Sequence, residues 1–211
     1  MTGAHWTHGR RGALLLATVV FAVLTGLTLV LTSGRHREPV SAPPPTLSTS
    51  TAPSTTTAPV PPRSDPVSVE IPRIGAKSTL VPLGLNPDGT LEVPPVSRPM
   101  QAGWYSLGPT PGETGPAVIV GHVDGNRQKG IFYRLRELVP GDQVLVARKD
   151  GTTLTFVVSH VDKVDKDEFP SDAVYGDTPD PQLRLITCGG SFDRTVHSYR
   201  DNIIAYAKLK P

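Results

Sequence analysis

An all-β domain, a barrel or a sandwich, is the fold class this sequence predicts, and three observations predict it. Val67, Val69 and Ile71 alternate with Ser68 and Glu70 before Pro72 ends the run. Two longer runs, Asp142 to Arg148 and Thr152 to His160, flank the turn Lys149-Asp150-Gly151, a hairpin signal. Short apolar runs then recur between Pro and Gly turns through residues 67–211, as in barrels and sandwiches.

The remaining elements follow in chain order. Thr79 to Leu85 and Leu91 to Val93 are short strand candidates around the turn Asn86-Pro87-Asp88-Gly89. Ala117 to Val120 forms an apolar strand leading into Gly121-His122. Gly130 to Leu138 (GIFYRLREL) alone reads as helical. Val161 to Val164 continues or pairs beside the second hairpin strand. Leu183 to Thr187 alternates again, and Ile203 to Leu209 closes the domain. About 145 residues suffice for one core.

Two segments precede the domain. After a short tail, residues 1–12, Ala13 to Thr32 is a run of twenty residues without a charge. As a helix it spans about 30 Å, the hydrocarbon thickness of a bilayer. Arg10 and Arg11 precede it and Arg35 and Arg37 follow, so flanking charge orients it weakly. A cleaved signal peptide is the rival reading, but no small-x-small site stands cleanly at its end. A transmembrane anchor over 13–32 is expected. Residues 33–66 form a linker rich in Pro, Ser and Thr, with too little apolar area to offset the entropy of ordering it. The expectation is an anchor, a semi-extended tether, and a domain over 67–211.

Charge excludes one class of partner. Of the 21 Lys+Arg and 19 Asp+Glu, five and two lie in residues 1–66, which leaves 16 against 17 for the domain. A nearly neutral domain exerts no long-range pull on nucleic acid.

The chain has a single cysteine, Cys188, so neither an intrachain disulfide nor a Cys-rich metal site can form. An inert buried thiol and a reactive one both satisfy the residue type. Cys188 follows the strand Leu183–Thr187 and precedes Gly189-Gly190, a strand-end position. His122 is placed similarly, between glycines in Gly121–Gly125 (GHVDG), with Asp124 beside it to orient it or to solvate the turn. Arg200 stands before the last strand, where an ion pair with Asp201 or a fork of donors beside the thiol are both open. His160 and His197 are poorer candidates, as secondary contacts.

These pieces resemble the sortases, membrane-anchored cysteine transpeptidases of Gram-positive bacteria, over roughly Val69 to Ala207. The family pattern T-L-x-T-C is matched by Arg184-Leu185-Ile186-Thr187-Cys188. A catalytic His in a G-H segment is matched by Gly121-His122, and an essential Arg about a dozen residues after the Cys by Arg200. The strings GHVDG, GIFYRL, PGD and LITCGG followed by YRDN resemble the actinobacterial class F group in particular. Arg184 departs from the leading Thr; it lies on the alternate face from Thr187, as a change in a substrate wall that leaves Cys188 placed. No aromatic lid motif of the pilin-polymerising class precedes the domain.

The resemblance implies an eight-stranded β-barrel with short helices and a catalytic set of His122, Cys188 and Arg200. Cys188 attacks the Thr carbonyl of an LPxTG-like sorting signal and forms a thioacyl intermediate. His122 protonates the departing Gly amine and deprotonates the incoming one. Arg200 holds substrate carbonyls or the oxyanion, and Thr187 is a substrate or backbone contact. The partners implied are C-terminal sorting signals of secreted surface proteins, a peptidoglycan-precursor or cell-wall amine, and the membrane, with the domain outside the cell. No cofactor is implied. Some sortases bind calcium in acidic loops, but Asp162, Asp165, Asp167 and Glu168 lack the EF-hand glycine and ligand pattern, so a solvated loop is expected. An L,D-transpeptidase is disfavoured because its S-H-G-C-type motif is missing. A mainly hydrolytic sortase-like peptidase and a non-enzymatic anchored surface domain stand as alternatives.

Overall fold

The structure is a computed structural model and describes residues 60–211. The expected anchor at 13–32 and most of the linker lie outside the described residues. Among the described residues no helix is long and apolar enough to cross a membrane.

Among the described residues ten strands form: β1 (Pro66–Ile71), β2 (Ala76–Leu83), β3 (Ala102–Tyr105), β4 (Gly115–Gly121), β5 (Asp124–Gly125), β6 (Gln128–Lys129), β7 (Gln143–Arg148), β8 (Thr153–Asp165), β9 (Pro181–Asp193) and β10 (Ser198–Leu209). A short α-helix, α1 (Ser171–Tyr175), precedes β9. Eight strands close into a barrel in the order β1-β2-β3-β4-β9-β10-β8-β7, and β5 pairs with β6 as a separate small hairpin. The expected eight-stranded barrel with short helices is what forms. Closure leaves the barrel itself without an edge strand.

Strand direction sets where the site stands. β4 and β9 are parallel neighbours, so Gly121 and Cys188 reach the same end of the barrel. β9 and β10 are antiparallel, and β10 begins at that end. β1 starts at the other end, where Pro66 pairs with Arg148, the last residue of β7. The chain therefore enters the barrel at the pole opposite to the one where His122 and Cys188 emerge. That entry is clamped: buried Arg148 donates to the Pro62 carbonyl, Lys149 pairs with Asp65 at 2.8 Å, and Arg63 with Glu113 at 3.1 Å.

The alternation read from the sequence fills the interior. Val69, Ile71, Val144, Val146, Phe156, Leu183 and Leu185 point inward with Phe132 and Leu135. Each contributes roughly 1.5–3 kcal/mol of apolar burial. A second apolar cluster lies on the outer face, where Val118, Val120, Ile186, Ile204 and Tyr206 pack with Leu83 and with Val174 of α1. β4 is buried on both faces for this reason, all seven of its residues included. A strand covered on both sides reads as a continuous apolar run.

Several elements differ from expectation. Leu91 to Val93 forms only an isolated bridge, Leu85 with Leu91, because the segment crosses between the parallel strands β2 and β3 rather than joining a ladder. β8 absorbs Val161 to Val164 as one strand of 13 residues. Gly130 to Leu138 is not an α-helix. It makes consecutive turns and one 3-10 turn, Leu135–Glu137, because its Ile131, Phe132 and Leu135 are all drawn into the barrel core. The short helix α1 was not foreseen; Val174 is its only buried residue, too little for a helical period to show.

Candidate active site

His122 is held by backbone geometry. The amide of Phe132 donates to the His122 carbonyl at 3.0 Å, and the amide of Gly130 to that of Val123 at 2.9 Å. A Cβ on Gly130 would collide with the His122 backbone, and one on Gly121 with Ile131 and Phe132. The segment expected to be a helix is thus the cradle of the histidine. The ring is held as well: Nε2 lies 2.5 Å from the Pro94 carbonyl in the β2–β3 crossover. A carbonyl only accepts, so Nε2 carries a proton and Nδ1 is the ring atom left to exchange one.

Cys188 is half-buried and lies inside β9 rather than at the expected strand end, because β9 runs on through Gly189-Gly190 to Asp193 in its pairing with β10. Its register partner on β10 is Asn202. It shares a face of β9 with Ile186 and Arg184, the outer face. There a groove of about 980 Å³ is lined by His122, Cys188, Thr187 and Asn202 together with an apolar wall that includes Leu85, Val93, Leu107 and Tyr175. Tyr175 stands edge-on to Tyr105, with centroids 6.3 Å apart, and burial and then Tyr105 push its phenol pKa up. Leu107 is 66% and Val93 59% exposed, large apolar side chains at a groove mouth.

Thr187 is buried at the groove, and its hydroxyl has no hydrogen-bond partner. A buried hydroxyl left unmatched costs roughly 1–3 kcal/mol and is satisfied by any ligand that reaches it. Arg200 is exposed and stands at the start of β10 beside a register shift between Tyr199 and Asp201. Its guanidinium is bound to Asp193, 3.1 Å away, not to Asp201; Asp201 pairs with Lys163 at 2.9 Å. The structure thus brings His122, Cys188 and Thr187 to one groove and turns the Arg200 fork toward the hairpin.

The other expectations resolve individually. Asp124 does not orient His122; it accepts a hydrogen bond from the Tyr199 hydroxyl. Arg184 is not a groove wall. It is 3% exposed, its guanidinium lies 4.7 Å over the Tyr206 ring, and its Nε donates to the Ala173 carbonyl of α1. His160 stacks on Tyr206 at 4.3 Å, on a different strand from the site residues. His197 occupies the turn between β9 and β10 with φ +50°. In the acidic run, Asp165 accepts from the Asp167 amide as a turn cap. Among the described residues no three His, Cys, Asp or Glu side chains gather as metal ligands. Pro94, Tyr199 and Asn202 were missed because each reaches the site through a long-range pairing.

The Sortase domain family matches residues 69–210, and the chain belongs to the sortase family. No curated protein matches it. Among solved structures it is similar to sortase A from Corynebacterium diphtheriae, at 19% identity over 71% of this chain and 62% of that one, with a TM-score of 0.53. It is also similar to sortase C-1 from Actinomyces oris, at 21% identity over 70% and 76%, TM-score 0.54. A third is the sortase D5 transpeptidase of Clostridium perfringens, at 18% over 71% and 82%, TM-score 0.51. The chain spans about two thirds or less of the first solved structures it matches, 66% of Streptococcus agalactiae sortase C1 and 62% of the Corynebacterium enzyme.

These similarities overturn the expected class F affinity: the similar structures are sortases A, C and D. Two of the strings that suggested class F have local structural roles here. Gly130 of GIFYRL must clear the His122 backbone. Gly141 of PGD turns at φ +97°, and Asp142 accepts from the Val139 amide.

Proposed function

We propose that this chain is a cysteine transpeptidase that cleaves an LPxTG-like sorting signal between Thr and Gly and passes the acyl group to a cell-wall amine. One observation carries the reading: His122, just after β4, and Cys188, on the parallel neighbour β9 just past its last pairing with β4, open into the same apolar groove. A groove with apolar walls and few polar groups suits an extended peptide with apolar side chains.

In this mechanism the Cys188 thiolate attacks the Thr carbonyl carbon, and the C–N bond to Gly breaks after the tetrahedral intermediate. His122, its Nε2–H on the Pro94 carbonyl, gives a proton to the leaving Gly amine and takes one from the attacking amine. Arg200, once released from Asp193, steadies the developing oxyanion, a contribution of about 3 kcal/mol. The unpartnered Thr187 hydroxyl takes a substrate polar group. In this reading an anchor at residues 13–32 holds the domain outside the membrane.

The test is cleavage of LPxTG and LAxTG peptides by the full chain, with and without an amine acceptor. Loss of cleavage in folded Cys188→Ala and Arg200→Ala variants, with acceptor-dependent product in the wild type, is the expected result. Normal cleavage by folded Cys188→Ala would sink the proposal. Product that never depends on the acceptor would make the enzyme a hydrolase.

A further inference from the structure

Two small arms stand over the catalytic end of the barrel. One is the β5–β6 hairpin, which begins two residues after His122 and pairs only Asp124 with Lys129 and Gly125 with Gln128. Its turn places Asn126 and Arg127 at φ +47° and +61°, a conformation costly for residues with a side chain. A hairpin this short does not hold itself together in water. The other arm is the end of the β9–β10 hairpin, which carries Arg200 and exposes Phe192 and Val196.

Tyr199 joins them. Its hydroxyl donates to the Asp124 carboxylate across 75 residues of sequence. Its ring packs edge-on against Phe192, its register partner, with centroids 5.1 Å apart. The phenol is pushed up to about 12, first by the hydrogen bond to Asp124 and then by burial and the negative charges of Asp124 and Cys188. The donor therefore keeps its proton throughout the neutral range, and the tie persists there.

We propose that Tyr199 and Asp124 are positioning residues, whose hydrogen bond clasps the arm that follows His122 to the arm that carries Arg200 and so sets the spacing of those two groups about Cys188. This rests on the proposed transpeptidase reading. The clasp joins a segment that precedes Cys188 in the chain to one that follows it, whereas the Asp193–Arg200 pair lies within one hairpin.

The test is a double-mutant cycle in the full chain, read by peptide cleavage and by hydrogen exchange. Tyr199→Phe keeps the ring on Phe192 and removes the hydroxyl; Asp124→Ala removes the acceptor. Each is expected to lower kcat about tenfold with KM within about twofold, and the double variant to be no slower than either single. Asp124→Asn, whose amide oxygen still accepts, should recover at least about half of the lost rate. Amide exchange over residues 124–129 should quicken about tenfold in Tyr199→Phe. Losses that multiply to about a hundredfold in the double variant, an unchanged kcat in the singles, or unchanged exchange would each overturn the clasp. If the wild type cleaves no sorting peptide, the transpeptidase reading fails, and exchange alone then decides whether the tie exists.

Discussion

Arg200 reaches across the β9–β10 hairpin to Asp193, its Nη2 3.1 Å from the carboxylate. Asp193 also accepts from the Thr195 amide, and that bond, then Arg200, lowers its pKa. The guanidinium proposed to serve the thioacyl chemistry is thus held by a carboxylate in the free protein. The pair is exposed and screened by solvent, so it holds the fork only weakly. Asp193→Ala should therefore raise kcat/KM by at most about fivefold by freeing the fork. Steady-state cleavage measures this, and a fall would show that Asp193 holds Arg200 where it acts.

Gly130 bears on His122 through the backbone alone. Gly130→Ala should cost about 1–3 kcal/mol of stability and lower kcat/KM at least tenfold, since small misplacements of a catalytic group are expensive, on the order of a hundredfold per ångström. Gly151→Ala is the control. Its φ of +84° is strained for alanine, but nothing stands within 4 Å of a Cβ there. It should lose about 1 kcal/mol in urea titration and keep full activity. Equal activity losses in both would refute a specific role for Gly130.

Arg184 is a buried cation with no ion pair among the described residues. Burial lowers its pKa; the charges of Tyr206 and Asp180 oppose that. Its guanidinium serves the Ala173 and Leu183 carbonyls and the Tyr206 ring. Arg184→Ala removes the packed stem together with the charge and should cost roughly 2–3 kcal/mol. Arg184→Met keeps the stem and removes the need to desolvate a charge, so it should cost less than about 1 kcal/mol. Urea midpoints at constant m-value distinguish the two, and equal losses would show that the charge, not the stem, is what matters.

Acid sensitivity follows from surface carboxylates whose pKa is lowered. Asp65 is lowered first by its hydrogen bond from Lys149, Asp150 by that from Thr152, and Glu137 by that from Arg134. In each the folded pKa lies below the unfolded one. Their stabilisation is therefore complete above the unfolded value, about 4, and is lost as pH falls through the folded values. The melting temperature should be level from about pH 7 to 5 and fall below about pH 4, less steeply in an Asp65→Asn, Asp150→Asn, Glu137→Gln variant. A melting temperature that rises between pH 5 and 3 would contradict this.

The sequence by itself determined the all-β class and most of the barrel's strands, though not β3 (Ala102–Tyr105) or the full length of β9. Alternation along Val69–Ile71 states which side chains go inward, because a strand has period two and one buried face there; Leu183–Thr187 is buried on both faces, so its inward set is fixed only by the outer cluster that covers it. A Gly-bounded strand end marks His122, whereas Cys188, followed by Gly189-Gly190, lies inside the longer strand β9. Residues 130–138 misled because a run of Ile, Phe and Leu drawn into a core looks the same to a helical period as a succession of turns.

Only the tertiary structure decided what each of these residues meets. The parallel pairing of β4 with β9 brings His122 and Cys188 to one groove although 66 positions separate them in the numbering. Pro94 on His122, Tyr199 on Asp124 and Asp193 on Arg200 are bonds of direction as much as of type. A local sequence pattern encodes which face of an element is apolar. The partner of a polar group is set by barrel closure, register shifts and the path of the β2–β3 crossover, and those are properties of the whole chain.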